Sequence, residues 1–354
     1  MSDELIKFRA QIDSIDDELL KLVNQRAGLA QQIGHAKGNS VVLRPEREAQ
    51  VLNRMVRANS GPLTHQGVTQ LFTEIMSQCR ALEAPLRVAY LGPHGTFSEA
   101  AVFQRFGKAS EGLPVDSIDG VFTAVENGTA NYGLVPVENS TEGAVGRTLD
   151  LLFNSNLKIC GEVLLQVHQC VLSNENELSL IRKVYSHPQS FGQCQGWLNA
   201  HLPHAERITA SSNADAARLA AEESFSAAVG GEQAAVHFKL KVLAQNIEDD
   251  ARNTTRFLVI GKQDVAPSGT DKTSLVMTAP NIPGAMYELL KPFAKNGVSL
   301  TKLESRPSGT GLWEYVFYVD IEGHQSDSKV AEALLQLKQI AAFVKVLGSY
   351  PVAI

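Results

Sequence analysis

The chain has 354 residues, enough for two or three domains with separate cores, and its 44% hydrophobic and 20% charged content is that of an ordinary soluble protein. A formal net charge of −6 removes any electrostatic reason to expect nucleic acid or an anionic membrane as a partner. The start, MSDELIKFRAQ, lacks an apolar h-region and no apolar run reaches the length of a membrane span, so the cytosol is the expected compartment.

The first 84 residues read as helix only. From Leu5 to Lys37 there is no proline, and Phe8, Ile12, Ile15, Leu19, Leu22, Leu29 and Ile33 recur at spacings of three, four and seven, one helical face. Two shorter helices are expected, Pro45–Ala58 and His65–Leu82, separated by SGPLT. They are too short to cover the stripe of the first, which should pair with a second copy of itself. The stripe also carries Arg26 and Lys37, with Arg9 near its start. A cation on a face meant for burial is costly unless an anion meets it. For one residue a buried salt bridge or a snorkelling stem would suffice; two on one stripe point to an anionic ligand. Arg9 and Arg26 stand about 25 Å apart along the helix. An antiparallel twin would bring Arg9 of one chain near Arg26 of the other, giving a shared site.

After Pro85 strands and helices alternate. LRVAYLG is a strand, GPHGTFS a turn and EAAVFQRFG a helix; IDGVFTAVENG, YGLVPVEN and GAVGRTLDLLF read as helix, strand and helix. ICGEVLLQVHQCVLS has the length of a crossing strand. KVYSHP leads into the helix SFGQCQGWLNAHL, followed by the helix SNADAARLAAE, the short strand SAAVGG and the strand NTTRFLVIG. This predicts an α/β domain with a mostly parallel sheet split into two lobes, where ligands bind outside the carboxyl ends of strands. Four polar clusters fall at such ends: 92–98, 136–144, 186–194 and 253–257. Each alone could be a turn with a capped helix, with Ser98 or Ser190 as the cap; together they suggest a ligand site. GPHGTFS is not a dinucleotide fingerprint, though its glycines suit an anion nest. GTFSE is not a nucleophile elbow, and His187 has no carboxylate partner in sequence and reads as structural.

Beyond the linker Val265–Asp271, the order strand, helix, strand, strand, helix, strand is ferredoxin-like. The predicted elements are Thr273–Ala279, Pro283–Lys295, Val298–Ser305, Leu312–Asp320, Ser328–Ile340 and Phe343–Leu347. The four cysteines, Cys79, Cys160, Cys170 and Cys194, form no CxxC pair and have no zinc-spaced histidines, so reduced thiols and no metal site are expected.

LRPEREAQVL together with FRAQIDSIDDELLKLVNQRAGLAQQIGHAK resembles the all-helical chorismate mutase family. The resemblance implies that Arg9 of the partner chain, Arg26 and Lys37 hold the carboxylates and ether oxygen of chorismate. It further implies that Glu48 accepts from the ring hydroxyl and that Arg47 adds charge. Where that family's last helix has a serine and a glutamine, this chain has Cys79 and Glu83. A carboxyl at 83 donates to the ether oxygen only when protonated. Mutase activity is therefore expected to fall as pH rises, and Glu83→Gln to flatten the profile; identical rate–pH curves for the two proteins would rule this role out.

The four polar clusters resemble prephenate dehydratase over residues 86–262, TRF being the most specific stretch. By that resemblance Thr255 assists departure of the ring hydroxyl and Arg256 orients a carboxylate or braces the site. Glu138, Asn139, Ser186 and Gln193 line the pocket, with Ser140 and Thr141 near the substrate. ESRPSG (304–309) and NIPGAMYELL (281–290) resemble the phenylalanine-binding ACT domain. L-phenylalanine is thereby implied as an allosteric inhibitor, held by Gly284, Ala285, Met286, Glu304, Ser305, Arg306 and Pro307 across a dimer interface. The expected organisation is an all-α chorismate mutase domain at 1–84, a two-lobed, periplasmic-binding-protein-like α/β dehydratase domain at 86–262, and a ferredoxin-like α+β ACT domain at 271–354. Such a chain would act on chorismate and prephenate in phenylalanine biosynthesis as a homo-oligomer. Arogenate dehydration is the near alternative. A non-catalytic two-lobed solute-binding or sensor protein is the remote one, disfavoured by the helical segment and the missing secretion signal.

Overall fold

The computed structural model describes residues 3–37, 43–279, 282–307 and 315–353. Asn281, Ser308, Gly309, Leu312 and the side chain of Lys37, all named above, lie outside the described residues.

Helix α1 (Asp3–Lys37) is unbroken over 35 residues, about 52 Å at the standard rise. It rests against α3 (His65–Ala81), which packs on α2 (Pro45–Ala58). Proline at the first position of α2 costs no hydrogen bond, because that N–H has no partner within a helix. Thr64 caps α3 by accepting from the Gly67 N–H at 3.0 Å. The apolar stripe of α1 stays in solvent: Phe8, Ile12, Ile15, Leu19, Leu22, Leu29 and Ile33 are each 50% exposed or more.

The middle segment forms two sheets. The first is built from β1 (Arg87–Leu91), β2 (Glu111–Val115), β3 (Tyr132–Asn139), β4 (Gly143–Ala144) and β5 (Lys158–Gln166), with helices α4 (Phe97–Phe106), α5 (Ile118–Glu126) and α6 (Gly146–Asn154) between them. The chain then enters the second lobe through β6 (Cys170–Ser173), β7 (Lys183–Ser186), α7 (Pro188–Gln193), α8 (Gln195–His201), β8 (Glu206–Thr209), α9 (Asn213–Glu222), β9 (Ser226–Gly230), α10 (Glu232–Phe238) and β10 (Lys241–Ala244). It returns to the first as β11 (Thr254–Gly261). Strand order is β2-β1-β3-β11-β5 in the first lobe, with β4 paired to β3, and β10-β6-β9-β7-β8 in the second.

Both sheets are mixed, which corrects the expectation of a mostly parallel one. The returning β11 inserts antiparallel to both β3 and β5, and β6 runs antiparallel to β9 and β10. The segment read as one crossing strand is β5 and β6, one in each lobe, with a break at 167–169. Strands β2, β8 and β10 and helix α10 were not anticipated, and the helix expected over SFGQCQGWLNAHL divides at Cys194. Neither Ser98 nor Ser190 is a cap. Thr96 caps α4 and His187 caps α7, the two serines lying buried inside those helices. All four cysteines are free and buried; burial pushes the thiols of Cys160 and Cys194 up to about 12 and that of Cys170 to about 11. Among the described residues no helix is long and apolar enough to cross a membrane.

The third segment has the expected order: β12 (Asp271–Thr278), α11 (Ala285–Lys295), β13 (Leu300–Pro307), β14 (Tyr315–Glu322), α12 (Ser328–Ile340) and β15 (Phe343–Pro351). Its sheet is antiparallel, ordered β13-β14-β12-β15, the ferredoxin-like arrangement. One face packs on α11 and α12. The other shares a core with the middle segment: Val276, Val316, Tyr318, Leu347 and Tyr350 join Leu149, Leu152, Ile159 and Leu258. Lys345 of β15 reaches across this seam and donates to the carbonyls of Leu152 (3.0 Å), Phe153 (2.8 Å) and Ser155 (2.6 Å), closing the C-terminus of α6. Burial lowers its pKa, and Lys158 adds to the effect. Lys345→Met strands these carbonyls and should lower stability by about 2 kcal/mol. A urea-unfolding midpoint unchanged from wild type would contradict that.

Candidate active sites and regulatory site

In the helical segment, Arg26 of α1 is half-buried, Arg9 and Arg47 are exposed, and Cys79 of α3 is buried. Glu83, just past α3, lays its stem on α1: a Cβ at Gly34 would come within 2.9 Å of Glu83 Cγ. The structure therefore joins Glu83 to α1 at Gly34. Glu48 is placed differently from a residue awaiting a ligand alone. One carboxylate oxygen meets Arg80 of α3 and the other accepts from Arg105 Nη1 of α4 at 2.9 Å. Arg80 also donates to the Phe106 carbonyl at 2.5 Å. Burial lowers the Arg80 pKa, against the pull of Glu48. Two guanidiniums leave further lone pairs on Glu48, but the residue is first of all a part-buried anchor between the helical and middle segments.

Between the two lobes lies a cleft of about 370 Å³. Thr141 and Glu142 line it from the first lobe, Gln189, Gly192 and Gln193 from the second, and Asp249, Asp250 and Asn253 from the returning connection. Asn139, the last residue of β3, organises its edge. Its Oδ1 accepts from the Thr141 N–H (3.0 Å), the Thr141 hydroxyl (2.5 Å) and the Glu142 N–H (3.2 Å). Its Nδ2 donates to Thr255 Oγ1 at 2.9 Å and to Asn253 Oδ1 at 3.0 Å. Because Thr255 accepts from Asn139, its own O–H proton remains available to a ligand. Ser140 ties the same edge together, donating to the Arg252 carbonyl (3.4 Å) and accepting from the Thr254 N–H (3.0 Å).

Two buried polar atoms here lack partners: Asn253 Nδ2 and Gln169 Oε1, in residues 2% and 1% exposed. Buried groups of this kind are rare and need an explanation, and a polar ligand in the cleft supplies one. Gln169 joins the site through its Nε2, which donates to Gln193 Oε1 at 3.2 Å and to Ser190 Oγ at 3.2 Å. Ser186, expected to line the pocket, is instead fully buried and donates to the Val229 carbonyl at 3.2 Å.

Glu138 also departs from expectation, and of the two roles expected of Arg256 its contacts match bracing the site. A strand sends successive side chains to opposite faces. Thr255 pairs with Asn139 and Arg256 with Glu138 in register, so the second pair faces away from the cleft. Glu138 meets Lys302 of β13 at 2.7 Å. Arg256 donates to Glu162 (2.8 Å), Asp320 of β14 (2.6 Å) and Tyr350 of β15 (3.0 Å). Burial opposes its charge, but Tyr350, Asp320 and Glu162 hold its pKa above the ordinary value. Arg256 thus braces the site from behind and does not reach into it.

In the third segment, Thr278 pairs with Val316, and Val316 with Arg306. Both expected ligand stretches therefore lie at one end of the sheet, separated by β14 and about 10 Å apart. Gly284 adopts φ +80, a left-handed conformation that glycine tolerates without strain, and Ala285 and Met286 open α11. Along β13, Glu304 and Arg306 share the face of Lys302, and Ser305 and Pro307 take the other. The Arg306 guanidinium approaches Asp150 at 3.4 Å and lies where a Cβ on Gly146 would collide.

The type II chorismate mutase family profile matches residues 8–84, that of prephenate dehydratase 88–265 and that of the ACT domain 273–339. A bifunctional chorismate mutase/prephenate dehydratase of Neisseria gonorrhoeae is 50% identical over 99% of this chain and 98% of its own length. The chain belongs to the bifunctional chorismate mutase/prephenate dehydratase family. A member from Pseudomonas aeruginosa is 48% identical over 99% of each chain. The crystal structure of an Arthrobacter aurescens prephenate dehydratase in complex with L-Phe covers 75% of this chain and 90% of its own, at 36% identity and a TM-score of 0.69.

The structure adds Gln169, Asn253, Arg80 and Arg105 to the residues expected from sequence. Asn253 had a signal, standing two residues before Thr255 in a cluster already singled out. Gln169 sits in the break between two strands read as one. Arg80 and Arg105 meet Glu48 from different segments, a contact no local pattern announces.

Proposed function

We propose that the helical segment rearranges chorismate to prephenate and that the interlobe cleft decarboxylates and dehydrates prephenate to phenylpyruvate. The rearrangement is pericyclic and needs no nucleophile, only a compact conformer and positive charge where the ether oxygen gains electron density. Arg26, Lys37 and Arg9 from a partner chain supply that charge, with Glu83 beside them. The exposed stripe on α1 supports an assembly of at least two chains, since so much apolar surface on a helix needs a cover.

In the cleft, the electron pair of the breaking C–CO2 bond enters the ring and the ring hydroxyl leaves, giving an aromatic product, carbon dioxide and water. One proton must reach the departing hydroxyl. The Thr255 O–H, left free by the hydrogen bond it accepts from Asn139, is the observation that carries this reading. Threonine is a weak acid, so it acts as a donor in a relay replenished from solvent and not by lasting ionisation. A substrate carboxylate can accept from the unpartnered Asn253 Nδ2.

L-phenylalanine binds the third segment near Gly284–Met286 and Glu304–Pro307 and inhibits the dehydratase. The segments behave as units with limits near 84–86 and 262–271, and the enzyme works in the cytosol without metal or organic cofactor. The decisive assay incubates the full-length protein with chorismate and follows phenylpyruvate absorbance, with and without L-phenylalanine. Chorismate consumption without phenylpyruvate would remove the dehydratase half of the reading, and a parallel incubation with arogenate measures the competing substrate.

A further inference from the structure

Four charges form a square behind the dehydratase site. In the middle segment Glu138 and Arg256 are cross-strand neighbours; in the third segment Lys302 and Asp320 are. The two pairs dock with opposite signs facing, Glu138 on Lys302 at 2.7 Å and Arg256 on Asp320 at 2.6 Å. Glu162 and Lys272 extend the array, joined at 2.9 Å. The residues next in sequence, Asn139 and Thr255, make the 2.9 Å hydrogen bond at the cleft. Each partner in that bond is therefore one peptide unit from a charge held by the regulatory segment.

We propose that Lys302, with Asp320, is a positioning residue for the dehydratase reaction: by fixing Glu138 and Arg256 it sets the Asn139–Thr255 hydrogen bond on the opposite face of the same strands. This rests on the reading that Thr255 serves the dehydration. Lys302 also lies two residues before Glu304 on β13. A ligand that shifts the strand end at 304–307 moves the ammonium that holds Glu138, and through it the catalytic hydroxyl. An edge strand is suited to such movement, being hydrogen-bonded to one neighbour only. Asp320 is the poorer probe, because it shares Arg256 with Glu162 and accepts from Ser274 at 2.5 Å. Lys302 and Glu138 are cleaner, since the Glu138 side chain is 39% exposed and can be hydrated when its partner is removed.

The test compares Lys302→Met, Lys302→Arg, Glu138→Gln and the Glu138→Gln/Lys302→Met double variant in the full-length protein, with Thr255→Ala alongside. Lys302→Met and Glu138→Gln should each lower kcat on prephenate about tenfold with KM within about twofold of wild type. Lys302→Arg should recover most of the rate, and the double variant should be no worse than either single one. Mutase turnover should stay at the wild-type level throughout. The L-phenylalanine concentration for half-inhibition should rise about tenfold in Lys302→Met. Wild-type kcat in Lys302→Met, additive losses in the double variant, or a loss shared by the mutase overturns the proposal. Turnover lost in Thr255→Ala but kept in Lys302→Met overturns it alone, whereas full turnover in Thr255→Ala removes the reading of the cleft as well. Unchanged inhibition in Lys302→Met, with calorimetric uptake of L-phenylalanine by the wild type, refutes the coupling.

Discussion

Thr255→Ala is expected to lower dehydratase turnover by about 10²–10⁴-fold, the range for losing a positioned proton donor, with little change in mutase turnover. The side chain contributes one hydroxyl, and Asn139 already fills its acceptor role. Removing it takes away the donor and leaves Asn139 Nδ2 bonded only to Asn253. The fold should survive, because Thr255 is half-buried at a strand end and its backbone keeps the pairing with Asn139 and Leu165. Thr255→Ser retains the O–H but frees its rotamer, since the β-branch no longer limits χ1. It should recover most of the rate. Single-turnover measurements on prephenate separate this from a binding defect: the loss belongs in kcat, and a change confined to KM would mean that the hydroxyl only holds the ground state.

How much of this was legible before the structure varies with the range of the interaction. Helix α1 was readable nearly to its ends because an apolar period of three and four over such a length has no other solution. Its exposed stripe matches the expectation that two short helices could not cover it. The ferredoxin-like order was readable for the same local reason. Strand direction was not, since alternation marks a strand without saying which way its neighbour runs; hence the mixed sheets. At the dehydratase site the sequence brought the right stretches together but treated neighbours as co-facing. Glu138 with Asn139, and Arg256 with Thr255, were assigned to one pocket although strand geometry sends them to opposite faces. The period-two rule was available and would have flagged one member of each pair. Their partners Lys302 and Asp320 could not have been found, because those contacts join segments more than sixty residues apart.

The second large effect is expected at Glu48. Its side chain is 13% exposed and stands between Arg80 and Arg105, themselves 8% and 18% exposed. Removing one member of a buried ion pair leaves the other charged and unsolvated, which typically costs about 3–5 kcal/mol. Glu48→Ala strands two guanidiniums at once and should fall in that range, with mutase turnover lost as α2 and α3 loosen. Arg105→Met should cost less, because Glu48 keeps Arg80. Arg105 belongs to the middle segment, yet this variant should still depress mutase turnover, because it releases the carboxylate that locks α2 to α4. Thermal or urea unfolding of the two variants, with chorismate consumption measured beside it, checks both halves of the argument. If Glu48→Ala proves no less stable than Arg105→Met, the ion cluster is not the anchor between the segments. If Arg105→Met leaves the mutase untouched, the helical segment holds its site without help from the dehydratase.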